Sequence, residues 1–255
     1  MRWMTLWLLP GCAMGPVEET IIDELRVVSA IAEPPEVAPG ESYTLDVTVA
    51  DPVGDGFELL VWTCPPEEAP PGVELPPELL GGPCTVARPT VDADGHARLT
   101  SLATVPVPQW VLACAPGACD VDDATERQLR DPVDWLSGLP LEGVSAAFRL
   151  VRIAIPPAEA ALENPVVEEV GPTDQLRDAG PKDPVTLRFV VPGAETAYGR
   201  ATVGGFSRPS FDVADDGTVE LEWYGPRERD PGAGTIYVVF EGEAGAAALV
   251  ELPVE

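Results

Sequence analysis

His96 is the sole histidine in the 255-residue chain, so a Ser–His–Asp or Cys–His nucleophile would have to be built around it. It follows Asp94-Gly95, a turn signal, and a solvated imidazole is the ordinary outcome there. Asp92-x-Asp94-Gly95 and Asp215-Asp216-Gly217 carry the Asp–Gly chemistry of calcium loops. Both lack the spaced ligands and closing glutamate of an EF-hand, and read more simply as hairpin turns. With 43 Asp+Glu, two carboxylates lying close together say nothing about acid–base catalysis. No nucleophile elbow, phosphate-binding glycine loop or metal-ligand cluster is present in the sequence, so no catalytic residue, metal or cofactor is assigned.

The five cysteines divide into one and four. Cys12 ends the segment Leu9-Pro10-Gly11-Cys12, which follows the short apolar run WMTLWLL. The segment resembles a bacterial lipoprotein signal with its lipobox, although Pro10 departs from the usual small or β-branched residue. That resemblance implies cleavage after residue 11 and lipidation of Cys12. Residues 12–21 then form a tether, and Ala13 in place of Asp implies sorting to the outer membrane. Cys64, Cys84, Cys114 and Cys119 remain, an even set with three connectivities. Their spacing favours Cys64–Cys84 and Cys114–Cys119: the second pair encloses a Pro-Gly turn and the first brackets a proline-rich loop. Closing that loop contributes roughly 3 kcal/mol by loop entropy. The C-x₄-C spacing with a single histidine does not fit zinc.

The elements that must position these residues are short strands. Pro (30) and Gly (24) are spread between short apolar runs, and 45 % of residues are apolar, enough for real cores. Tyr43, Leu45, Val47 and Val49 alternate with polar residues, as do Val185, Leu187, Phe189 and Val191, and Val219, Leu221 and Trp223. Residues 25–31, 57–64, 97–105, 109–114, 144–155, 197–203, 207–213, 236–240 and 247–252 read as further strands. Between residues 119 and 140, a capping box at Asp123 and Glu126 and the pair Asp131-Pro132 predict a small helical insertion carrying Trp135.

The stretch EPPEVAPGESYTLDVTVADPVGDGFELLVWTC resembles the opening of immunoglobulin-like domains of bacterial surface lipoproteins. A Pro-Gly-Glu turn leads into one strand, an Asp-Pro turn follows, and Trp62 ends the next. The resemblance implies an all-β fold of two antiparallel immunoglobulin-like β-sandwiches in tandem, with the helical insertion in the first. The divisions are residues 1–11 signal peptide, 12–21 tether, 22–156 first sandwich, 157–164 linker and 165–255 second sandwich. No cysteine sits on the strand that follows the Pro-Gly-Glu turn, so the antibody-type bridge between the sheets is absent. In such a sandwich Cys64 and Cys114 lie at opposite poles and do not pair.

The net charge of −28 repels phosphate backbones and excludes nucleic acid as a partner; it also repels anionic lipid, so membrane attachment must be covalent or hydrophobic. The expected function is a non-enzymatic structural or interaction module, lipid-anchored at the outer membrane, with a protein or glycan ligand that the sequence does not identify. The alternative is a calcium- or carbohydrate-dependent adhesin, and a third reading is a hydrolase subunit whose active site lies on a partner. A contact surface is expected on the proline-rich loop and on the insertion with Trp135, since strands committed to a core leave binding to loops.

Overall fold

A computed structural model describes residues 18–38, 40–65, 84–103, 107–119, 143–153, 162–226 and 233–254. Among these residues the chain is all-β, with short 3-10 turns and no α-helix. The predicted helical insertion lies outside the described residues.

The strands form four sheets. β1 (Arg26–Glu33), β3 (Glu41–Ala50) and β6 (His96–Ala103) make a three-stranded sheet in the order β1-β3-β6. β2 (Glu36–Val37), β4 (Glu58–Thr63), β5 (Thr85–Ala87), β7 (Val107–Cys114) and β8 (Val144–Ile153) make a five-stranded sheet in the order β2-β8-β7-β4-β5. Pairing is antiparallel throughout this pair of sheets except where β2 runs alongside β8. The chain crosses from one sheet to the other between β3 and β4, back before β6, and over again into β7, which is the Greek-key connectivity of immunoglobulin-like sandwiches.

Alternation explains what holds the two sheets together. β3 turns Tyr43, Leu45, Val47 and Val49 inward against Leu59 and Val61 of β4 and Val111 and Ala113 of β7. Gln109, fully buried on β7, donates from Nε2 to the Tyr43 hydroxyl at 2.5 Å, a polar cross-link between the sheets. β4 is buried on both faces, and Trp62 does not sit between the sheets. Because successive side chains point to opposite faces, Leu59 and Val61 take the space between the sheets, and Leu60 and Trp62 go to the outer face. There Trp62 packs with Leu112 and all four bridging cysteines in a second apolar cluster. The bridges are Cys64–Cys84 and Cys114–Cys119, with Cα separations of 4.2 and 5.7 Å. The register Glu58↔Cys114 puts Cys64 at the far end of β4 from Cys114, which is why those two do not meet.

The second pair of sheets repeats the plan. β9 (Glu169–Gly171), β10 (Val185–Val190), β12 (Gly205–Phe206) and β14 (Thr218–Tyr224) form one sheet in the order β12-β14-β10-β9. β11 (Ala194–Ala201), β13 (Ser210–Asp212), β15 (Gly234–Gly242) and β16 (Ala247–Val254) form the other in the order β13-β11-β15-β16. Leu187, Phe189, Leu221 and Trp223 face Ile236, Val238 and Phe240, and the rings of Phe189 and Phe240 meet edge to face at 5.2 Å.

The bridges close loops of different length, with sequence separations of 20 and 5. Loop entropy then assigns about 3 kcal/mol to Cys64–Cys84 and about 2 kcal/mol to Cys114–Cys119. The Cys64→Ser/Cys84→Ser variant should therefore lose more stability in urea unfolding than Cys114→Ser/Cys119→Ser. The first pair also borders Trp62, so its removal should further raise the exposure of tryptophan fluorescence to quencher.

Candidate functional site between the sheet pairs

The two pairs of sheets meet through contacts distributed along the chain. The start of the described chain lies on the second pair. Ile22 N–H donates to Ala201 O at 2.8 Å, and Phe206 N–H donates to Thr20 Oγ1 at 2.8 Å. Thr20, expected within a flexible tether, is completely buried, because its hydroxyl satisfies the Phe206 backbone. Ile22 then packs with Ala50 of β3 and Tyr237 of β15, joined by Val28 and Leu249. The β1–β3 register shifts between Val27 and Ser29, a bulge at Val28, the residue of β1 that joins this cluster. At the end of the expected linker, Asn164 binds both pairs. Its Nδ2 donates to Ala32 O at 2.8 Å and Glu33 Oε2 at 2.6 Å, and its Oδ1 accepts from Ala247 N–H at 2.9 Å.

His96 also belongs to this junction. It is the first residue of β6, directly after the Asp94-Gly95 turn, and its side chain is 39 % exposed. Its Nδ1 lies 3.2 Å from Thr48 Oγ1 and its Nε2 lies 3.4 Å from Glu251 Oε2 on β16. The other Glu251 oxygen, Oε1, is buried without a hydrogen-bond partner among the described residues. Burial pushes the Glu251 carboxyl above the ordinary glutamate value of 4.5; the His96 charge opposes this, while Asp94 and Asp92 add to it. Both imidazole nitrogens are thus engaged, by Thr48 and by Glu251.

The Asp–Gly sequences act as turns. Asp92 Oδ1 accepts from the backbone N–H of Asp94 at 3.0 Å and of His96 at 2.9 Å, and the His96 amide is the main reason its carboxyl lies below the usual range. Gly95 has φ +86°, and a Cβ there would run into the Val49 carbonyl. Asp216 accepts from Thr218 N–H at 3.0 Å in the same way. A calcium ion would have to displace these bonds.

Alongside the junction runs a cleft of about 500 Å³ between β1 and β8 on one side and β11 and β15 on the other. Arg26, Arg200, Tyr198 and Tyr237 line it, with Glu24 and Glu241 exposed beside them. Arg200 is positioned by its Nη1, which donates to Glu19 O at 2.6 Å. Burial lowers the pKa of Arg200 and the neighbouring charge of Arg26 lowers it further, with Glu19 acting in the opposite sense. Arg98 and Arg88 pair with Asp46 and Glu58 at 2.5 and 2.6 Å; Arg26 has no ion pair among the described residues. The cleft therefore holds a pair of guanidiniums in a chain with 15 Lys+Arg against 43 Asp+Glu. Sequence reasoning missed this site. Its local signal is a lone arginine opening β1 after three acidic residues in the preceding seven, and nothing near Arg200 points back to it.

Cys12, Trp135 and the proline-rich segment 66–83 lie outside the described residues. Trp62 and Trp223 are fully buried, and Trp110 is partly buried beside the disulfide cluster. Among the described residues no helix is long and apolar enough to cross a membrane, and no group of three or more His, Cys, Asp or Glu is placed to hold a metal.

No model of a known protein family matches the sequence, and no curated protein matches it. Among solved structures, the chain is similar to the D0-D1 domain of intimin, at 12 % identity and TM-score 0.25, over 89 % of this chain and 97 % of that one. It is similar to invasin, a bacterial integrin-binding protein, at 16 % identity and TM-score 0.22, over 89 % of this chain and 38 % of that one. A third likeness is to dimeric latent PorU from Porphyromonas gingivalis, at 10 % identity and TM-score 0.26, over 90 % of this chain and 24 % of that one. Likenesses of this size do not bear on activity or partners.

The raised pKa of Glu251 carries a pH prediction. The native state holds this proton more tightly than the unfolded chain, so the contribution is fully present below about pH 4.5 and is lost as pH rises through the raised value. Glu251→Gln removes the charge and should stabilise the protein at pH 7 by less than about 1 kcal/mol, as expected for a partly solvated group. Thermal melts from pH 4 to 8 should show the two proteins converging at the acid end.

Proposed function

We propose that the chain is an exported, lipid-anchored, non-enzymatic interaction module in which two immunoglobulin-like domains act as one rigid unit at the outer membrane. The observation that carries this reading is the way the two sheet pairs are tied together. Ile22, Asn164 and His96 bind residues of both pairs, Thr20 fastens the start of the chain to the second, and such a junction holds a binding surface in place without a hinge. Each pair spends its inward faces on its own apolar cluster, which leaves loops and the cleft to meet a partner. The two disulfides agree with an oxidising compartment, and the Leu9-to-Cys12 pattern supplies the anchor. The one imidazole is engaged on both nitrogens by Thr48 and Glu251, which supports a binding role over hydrolysis.

Anchoring is tested by Cys12→Ser. The variant should leave the membrane fraction, fail to incorporate labelled fatty acid and keep its leader. A variant that stays membrane-bound with unchanged lipid labelling rules the anchor out.

A further inference from the structure

The chemistry of the cleft names a ligand class, and the inference rests on the interaction-module reading above. Arg26 and Arg200 line the same partly buried cleft, and the like charge of Arg26 acts on Arg200 more strongly than the opposing charge of Glu19, so a further anion there would be stabilised. A guanidinium pair of this kind suits an oxyanion, which accepts from both planar forks. The surrounding charge then limits what can carry that oxyanion. At −28 the protein repels polyanions such as nucleic acids or heavily charged acidic glycans. Glu24 and Glu241 stand exposed at the same cleft, where a cation would find them, and the Tyr198 hydroxyl hydrogen-bonds Glu241. The complementary ligand is anionic at one point and cationic a few ångströms away.

The backbone adds a second, independent constraint. Among the described residues β1 pairs only with β3, and β8 pairs with β7 from Val144 to Val151 and with β2 at Arg152 and Ile153. Val27, Val28, Val144, Ser145 and Ala146, which line the cleft, therefore belong to strand edges with no second strand partner among the described residues. Val27 N–H is satisfied by Ser145 Oγ at 2.9 Å, which ties the two edges together. An unpaired edge offers main-chain donors and acceptors that an extended peptide can use. We propose that the cleft binds the C-terminal end of a basic polypeptide, with the terminal carboxylate on Arg26 and Arg200 and its cationic side chain beside Glu24 and Glu241.

Calorimetric titration of the full chain with the peptide acetyl-Ala-Ala-Lys-Gly, as free acid and as C-terminal amide, tests this. The free acid should bind, and the amide should bind at least tenfold more weakly. Arg26→Gln, which removes a side chain with no ion pair among the described residues, should cost the free acid at least tenfold while leaving the melting temperature unchanged. The Glu24→Gln/Glu241→Gln variant should weaken the lysine peptide several-fold and leave acetyl-Ala-Ala-Ala-Gly unaffected. Equal binding of acid and amide, or an Arg26→Gln protein with wild-type affinity, overturns the proposal. So does galacturonate binding as tightly as the peptide, which would make the cleft a sugar-acid site. Mass spectrometry of the recovered peptide separates the two readings. Cleaved peptide defeats the non-enzymatic module, whereas intact but unbound peptide defeats the peptide site alone.

Discussion

Ile22 is buried against Ala50 and Tyr237, and this small apolar contact sets the spacing between the two sheet pairs. Every other contact across the junction needs that spacing. Thr20 reaches the Phe206 amide, Asn164 spans from Ala32 to Ala247, and His96 comes within 3.4 Å of Glu251. The contact is apolar and central, and hydrogen bonds flank it. Burial therefore supplies the attraction and the polar groups fix the orientation, since a mispaired buried donor costs more than a correct bond gains. The cleft lies beside it, between β1 and β8 on one side and β11 and β15 on the other.

The five-stranded sheet shows how a domain with few aromatic residues fills space on both faces. Aromatic residues are 6 % of the chain, and aliphatic side chains supply most of the packing between the sheets. Trp62 is kept for the outer face, where it and the two disulfides form a lid over Leu60 and Leu112. The bridges do two jobs at once. They restrict the unfolded chain, and their sulfurs add apolar volume where a helix or another sheet would otherwise be needed.

Charge is distributed with a different logic. Acidic residues dominate the exposed surface, and several basic residues are neutralised one by one, as Asp46 does for Arg98 and Glu58 for Arg88. Arg26 and Arg200 break that pattern in the cleft between the two sheet pairs. Glu251 breaks it in the opposite sense, a carboxyl partly withdrawn from water beside two aspartates. Both departures fall at the junction, which is where desolvation is imposed by packing that serves another purpose.

The strands themselves were legible in the sequence. The alternation from Tyr43 to Val49 and from Val185 to Val191 is a property of consecutive residues, and it dictated β3 and β10 almost to the residue. The short spacing of Cys114 and Cys119 likewise determined their pairing, because a five-residue separation leaves few alternatives. β2, β5 and β9, of two or three residues each, are too short to show a period and were not anticipated. Only the tertiary structure decided which face of β4 holds Trp62, since alternation gives two faces without saying which one meets the other sheet. It alone turned His96 from a turn residue into a junction residue, and brought Arg26 beside Arg200. Those positions belong to different sheet pairs, so their meeting is set by the packing of Ile22, Ala50 and Tyr237 and by no pattern local to either arginine.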